Sequence, residues 1–205
     1  MLKDQFLEVC SKYSNDSSIV NRLWSEVQDC YSKTYRHYHT ISHIEHFHEE
    51  LKEVKYLLKD WDCLMLSMFY HDIVFLPTRN DNEKSSADVA SVSLALLDVP
   101  QEKIDKCQQL ILATKKHAQS KSSDTNFFTD ADLSILGSSA DRYEQYLQDI
   151  KKEYYYLSED NYRIGRTRII DRLLGMEQLY KTQHFFAKYE KQARQNLRME
   201  RAEIN

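Results

Sequence analysis

The sequence predicts an all-α fold, and three observations carry that expectation. Three glycines and two prolines in 205 residues leave too few turn formers for a many-stranded sheet. Apolar residues recur at intervals of three and four along most of the chain, the period of a half-buried helix. A hydrophobic share of 41% against 29% charged is that of an ordinary globular protein long enough to bury one core.

The elements follow in order. The opening MLKDQFLEVC is acidic and amphipathic, unlike the charged head and apolar run of a secretory leader. From Ser17 to Lys33 a stripe of Ile19, Val20, Leu23, Trp24 and Val27 predicts a helix, with Ser17 or Ser18 as its cap. Ile41 to Leu58 repeats the pattern through Ile44, Phe47, Leu51, Val54 and Leu58. Trp61 to Phe75 is apolar nearly all round, which predicts a central buried helix closed by Pro77.

Asp81 or Asn82 can cap a helix running through Val89, Val92 and Leu96 and stopping before Pro100. Lys103 to His117 carries Ile104, Leu110 and Ile111, and Phe127 to Leu136 reads as a short helix ended by Gly137. Tyr143 to Arg201 supplies three or four more amphipathic helices rich in tyrosine. Trp24 and the Tyr154 to Tyr156 run read most simply as packing residues. No repeat or linker divides the chain. A single helical bundle over residues 1–205 is expected, with the part from about 140 packed on the rest.

Composition narrows the function. The net charge is −4 and the Lys and Arg residues are dispersed, so a nucleic-acid polymer is not the expected partner. A small phosphorylated molecule needs only a few local cations, and that class is not excluded by the charge pattern. Cys10, Cys30, Cys63 and Cys107 form no CxxC pair, and free thiols in a reduced, cytoplasmic protein are expected. The longest apolar stretch, near Leu64 to Leu76, is interrupted by His71 and Asp72 and is too short to span a membrane.

Five of the eight histidines fall between Arg36 and His48, in RHYHTISHIEHFH, and His71 directly precedes Asp72 in FYHDIVF. An ionisable pair inside the most apolar helix needs a cation or strong hydrogen bonds, because burying an unpaired carboxylate costs several kcal/mol. His39 and His43 are spaced i, i+4, and Asp130 and Asp132 sit among apolar residues in FTDADLSILG. The order His … His-Asp … Asp would bring nitrogen and oxygen donors from three helices to one divalent ion, of Mn, Fe, Co, Ni, Zn or Mg. Of the other histidines, His37, His46 and His48 read as surface or supporting residues.

That order resembles the signature of the HD superfamily of metal-dependent phosphohydrolases. The chain is particularly similar to a small bacterial family of predicted HD phosphohydrolases through RHYHTISHI, YHDIVF, DNEKSSA, ATKKH, TDADLSILG, KKEY, IGR and ARQNL, spread from Arg36 to Leu197. The resemblance implies an HD-domain helical bundle with His43, His71, Asp72 and Asp132 as metal ligands. The Tyr-His-Asn-x-x-His segment of the cyclic-nucleotide phosphodiesterases, also helical HD proteins, implies that His39 is the proton donor and His43 the ligand; here Thr40 stands in place of the Asn. Asp132 matches the Ala-Asp-Leu setting of the last ligand, leaving Asp130 as a supporting residue or a helix cap.

The resulting expectation is hydrolysis of a small phosphate ester, with a nucleotide as the expected example. Bound metal would acidify a water and polarise the phosphoryl group. Glu83 is a candidate base or water-orienting carboxylate, equally readable as a helix N-terminal acid. Arg36, Lys116, His117 and Arg166 are candidate phosphate-binding residues. The rivals are a metal-retaining ligand-binding or regulatory module without catalysis, and a di-iron oxygenase, which needs more histidines than His117 between Asp72 and Asp132. Assembly into a homo-oligomer stays open.

Overall fold

The computed structural model describes residues 1–204, and among them it has ten α-helices, two short 3-10 turns and no strand. The chain starts with α1 (Leu2–Cys10) and α2 (Ser17–Tyr31). Asp16, rather than Ser17 or Ser18, caps α2: its Oδ1 accepts the backbone N–H of Ser18 at 2.9 Å and of Ile19 at 3.2 Å. A carboxylate there also meets the positive end of the helix dipole.

Next come α3 (Ile41–Glu53), a 3-10 turn (Lys55–Leu57) and α4 (Trp61–Tyr70). They are followed by α5 (Asn82–Ala95) and α6 (Gln101–Ala113). α4 is the hub: every residue from Cys63 to Tyr70 is buried, and the helix packs on α1, α3, α5 and α6. Each buried Leu, Met or Phe stabilises by about 1.5–3 kcal/mol, against ~0–1 kcal/mol for a surface ion pair. At the α1, α2 and α4 junction, Phe6 meets Trp24 at 5.6 Å and Phe69 at 5.1 Å between ring centroids.

α4 stops at Tyr70, short of the expected end at Phe75. Pro77 has no N–H to give the Ile73 carbonyl. The Arg36 guanidinium donates to it instead, at 2.9 Å, and to the Asp72 carbonyl at 2.8 Å. The face of α5 also departs from the apolar pattern. Ser86, Ala87, Ala90, Ser93 and Leu94 are buried, while Val89, Val92 and Leu96 are exposed. Small side chains let α5 lie close against α6, its main neighbour.

The chain continues with α7 (Ser123–Asp132) and a 3-10 turn (Leu133–Gly137). Gly137 does not adopt the left-handed conformation expected of a helix-ending glycine, for no glycine has positive φ. Close approach explains it: a Cβ there would stand 2.6 Å from Tyr189 Cβ. The last third forms three helices, α8 (Ala140–Glu153), α9 (Glu159–Leu174) and α10 (Gln183–Ile204). α10 packs along the second 3-10 turn and on α9 and α7. Asp130, buried on α7, accepts the backbone N–H of Lys181 at 2.9 Å and of Thr182 at 2.8 Å, which fixes the start of α10. Tyr155 and Tyr156 are exposed, unlike the packing role expected for them. All four cysteines are free, and no helix among the described residues is long and apolar enough to cross a membrane.

Candidate metal centre

The four expected ligands arrive from three places. His43 lies in the first turn of α3, His71 directly follows α4, and Asp132 is the last residue of α7. Because α4 ends before the His-Asp pair, Asp72 is off the helix and its carboxylate can turn back to its neighbour. Arg36 holds this geometry by donating to the His39 carbonyl at 3.2 Å as well as to Asp72 and Ile73, which ties the two histidine segments together. Its guanidinium lies over the Tyr31 ring at 4.9 Å. Arg36 is therefore a buried brace rather than a phosphate ligand, with its charge directed at backbone carbonyls.

The side chains converge. His43 Nε2 is 3.1 Å from His71 Nε2 and 3.3 Å from Asp132 Oδ1. His71 Nε2 is 3.1 Å from Asp72 Oδ2 and 3.6 Å from Asp132 Oδ1; Asp72 Oδ2 and His43 Nε2 are 4.0 Å apart. Donors of one divalent ion at about 2.1 Å stand roughly 3 Å apart when adjacent and roughly 4.2 Å when opposite. The spacings among His43, His71 and Asp132 fit one such ion, and the three form a group that could hold it, with Asp72 Oδ2 beside His71. His71 Nδ1 lies 2.8 Å from the Met68 carbonyl. A proton donated there leaves Nε2 with its lone pair toward the cluster, the usual support of a metal-binding imidazole. His43 Nδ1 is buried without a hydrogen-bond partner.

Electrostatics point the same way. Burial works against a charged His71, but Asp72 and Asp132 together push it up to about 9. Burial pulls His43 down. Asp72, half-buried, is held well below the usual carboxylate range against the cost of its desolvation, chiefly by His71. Two carboxylates thus gather positive charge around a shared point, and a divalent cation satisfies them as a proton does.

His39 precedes α3, so it does not share a helix face with His43 as the i, i+4 spacing suggested. Its ring stacks on Phe75 at 4.0 Å, and its Nε2 lies 3.9 Å from Asp72 Oδ2. Its Nδ1 is 2.7 Å from Glu153 Oε2. The other Glu153 oxygen accepts the backbone N–H groups of His37, Tyr38 and His39 at 2.8–2.9 Å. One buried carboxylate at the end of α8 therefore fixes both the backbone and the ring of His39. Burial opposes charge on His39, but Glu153 outweighs it and raises its pKa. Sequence reasoning missed Glu153, although the KKEY segment contains it.

The cluster lies on a cavity of about 390 Å³. His39, Glu83 and His117 also line it, and Glu83 is paired with Lys115 at 3.1 Å. His117 Nε2 is 2.8 Å from Asp132 Oδ2, and its backbone sits at φ 50, in the left-handed region that only a few per cent of non-glycine residues adopt. Such local strain is a recurrent mark of functional positions. Arg166 lines the cavity but is buried against Glu200 and Tyr146, so its charge is already matched. Lys116 is outside it, on a shallower depression of about 910 Å³ between α6 and the start of α7. Arg172, which sequence reasoning also missed, is on the wall. His37 is exposed, His46 bonds Ser134 and His48 packs near Trp61, so none joins the cluster. No protein-family model, curated protein or solved structure matches the chain.

Proposed function

We propose that the protein is a metal-dependent phosphohydrolase acting on a small phosphate ester. The observation that carries this reading is the convergence of His43, His71 and Asp132, with Asp72 next to His71, at the wall of a cavity that His39 also lines from its seat on a buried glutamate. A divalent ion held there would supply Lewis acidity toward a phosphoryl oxygen and toward water.

The chain's own residues supply the rest. Glu153 keeps a proton on His39 Nδ1 and favours the doubly protonated ring, so Nε2–H faces the cavity as a donor for the leaving oxygen. Arg172, on the wall, supplies a positive charge for a phosphate oxygen. Apolar and tyrosine side chains, among them Leu136, Ile150 and Tyr146, line the remainder and limit bulk water.

Phosphate release from a panel of phosphate esters, measured with added Mn, Co, Ni or Mg in air and without oxygen, tests the reading. Release that persists without oxygen and vanishes in Asp72→Ala supports it. No release with any metal leaves a binding module. Oxygen consumption on an organic substrate identifies an oxygenase.

A further inference from the structure

One wall of the cavity is a single face of α9. Tyr162, Gly165, Arg166, Ile169, Arg172 and Leu173 follow at helical spacing, and all line it. Packing does not explain two features of this face. Gly165 is in mid-helix, where glycine is a poor helix former. Its φ is not positive, and no heavy atom lies within 4 Å of where its Cβ would stand. The missing side chain leaves open space in the cavity instead. One turn further on, Ile169 remains 41% exposed, with Tyr162 half-buried on the other side of the glycine.

Charge on the wall is limited. Of the three arginines lining the cavity, Arg79 is bound to Asp81 through two hydrogen bonds of 2.8 Å and Arg166 is bound to Glu200. Arg172 donates to the Lys116 carbonyl at 3.4 Å and has no carboxylate partner among the described residues. One unneutralised guanidinium on the same cavity wall as the histidine–aspartate cluster matches a single phosphate group. It does not match the additional charge of a di- or triphosphate. A cavity of about 390 Å³ is at the low end for ligand sites, ~300–1,000 Å³, so it suits one compact molecule.

We propose that this face of α9 seats the leaving group of a nucleoside monophosphate. The flat base lies over Gly165 between Tyr162 and Ile169, and the phosphate lies between the cluster and Arg172. An aromatic side chain and an open glycine on one helix face offer a stacking platform for any base. The proposal rests on the phosphohydrolase reading: water adds to phosphorus, the ester P–O bond breaks, and the nucleoside oxygen takes the proton from His39 as inorganic phosphate leaves.

The test compares Mn-loaded wild type with Gly165→Leu and Gly165→Ala on AMP, UMP, glycerol phosphate and ATP. Wild type is expected to favour the monophosphates over glycerol phosphate and ATP in kcat/KM. Leucine at 165 is expected to lower the ratio of AMP to glycerol phosphate about tenfold or more, and alanine less, with metal content unchanged. Equal or better turnover of glycerol phosphate or ATP by wild type overturns the proposal, as does an unchanged ratio in Gly165→Leu. If Gly165→Leu does not fold, Gly165→Ala, which favours the helix, decides. Calorimetric titration with AMP separates the two readings. AMP binding that weakens in the variants without turnover of any ester supports the seat and overturns hydrolysis. Hydrolysis of glycerol phosphate without AMP binding supports hydrolysis and overturns the seat.

Discussion

His39 Nδ1 lies 2.7 Å from Glu153 Oε2, across 114 residues of sequence. In Glu153→Gln the amide can still accept the backbone N–H groups, but it can no longer favour charge on the ring. Metal content is expected to be retained, with kcat lowered about 10- to 100-fold. Removing the carboxylate also lowers the His39 pKa. The alkaline limb of the pH–rate profile should therefore move to lower pH; a rate loss with an unmoved limb would show that Glu153 is only a packing residue.

The cluster distances predict which variants lose metal. His43→Ala and His71→Ala each remove a donor whose Nε2 is within 3.1 Å of the other, and elemental analysis should find them depleted. His39→Ala, whose ring faces Glu153 and Phe75, should keep its metal and lose turnover. Chelation should lower the melting temperature of wild type, since an ion at ~1,000 times its Kd contributes about 4 kcal/mol. Equal metal content in wild type and His71→Ala would remove the site.

His46 makes folding sensitive to acid. Burial pushes this imidazole down to about 3, with Arg142 adding to the effect, whereas the unfolded chain has the ordinary value near 6.5. Above pH 6.5 neither state holds the proton and the full stability is present. As pH falls, the unfolded chain takes up the proton first and stability is lost. Between pH 7 and 5 the loss is about 2 kcal/mol. Urea unfolding of wild type and His46→Gln, which can still bond Ser134, should show a steeper decline for wild type; parallel declines would refute this.

Gly137 tolerates no side chain without movement. Its virtual Cβ meets the Tyr189 Cβ and ring, neither of them the free end of a flexible side chain. Gly137→Ala is expected to destabilise by about 1–3 kcal/mol through overpacking, read from denaturant unfolding. The turn that carries it begins directly after Asp132, so metal affinity should fall as well.

Helical class and the grouping of a histidine, a His-Asp pair and a later aspartate were legible because helical period and a His-Asp pair in an apolar run are local signals. The resemblance supplied the choice of Asp132 over Asp130, and the structure gives those two carboxylates different partners. What was not legible depends on distant pairing. Arg36 and Arg166 read as phosphate-binding candidates, but backbone carbonyls and Glu200 occupy them. Nothing in its sequence neighbourhood singles out Arg172, and only the fold puts it on the cavity wall. The apolar period also misled on α5, where Val89, Val92 and Leu96 are exposed and small residues take the buried face. There, close contact between two helices decides the buried face, and a hydrophobicity pattern does not encode it.

All four cluster residues precede residue 133, whereas Glu153 and α9 follow it. During synthesis the four cluster residues are therefore made before Glu153 and α9. At roughly 5–20 residues per second, the ~20 residues from Asp132 to Glu153 take about 1–4 seconds, so the cluster side chains exist before α8 can orient His39 and before α9 can wall the cavity. The order along the chain separates the cluster from its enclosure in time.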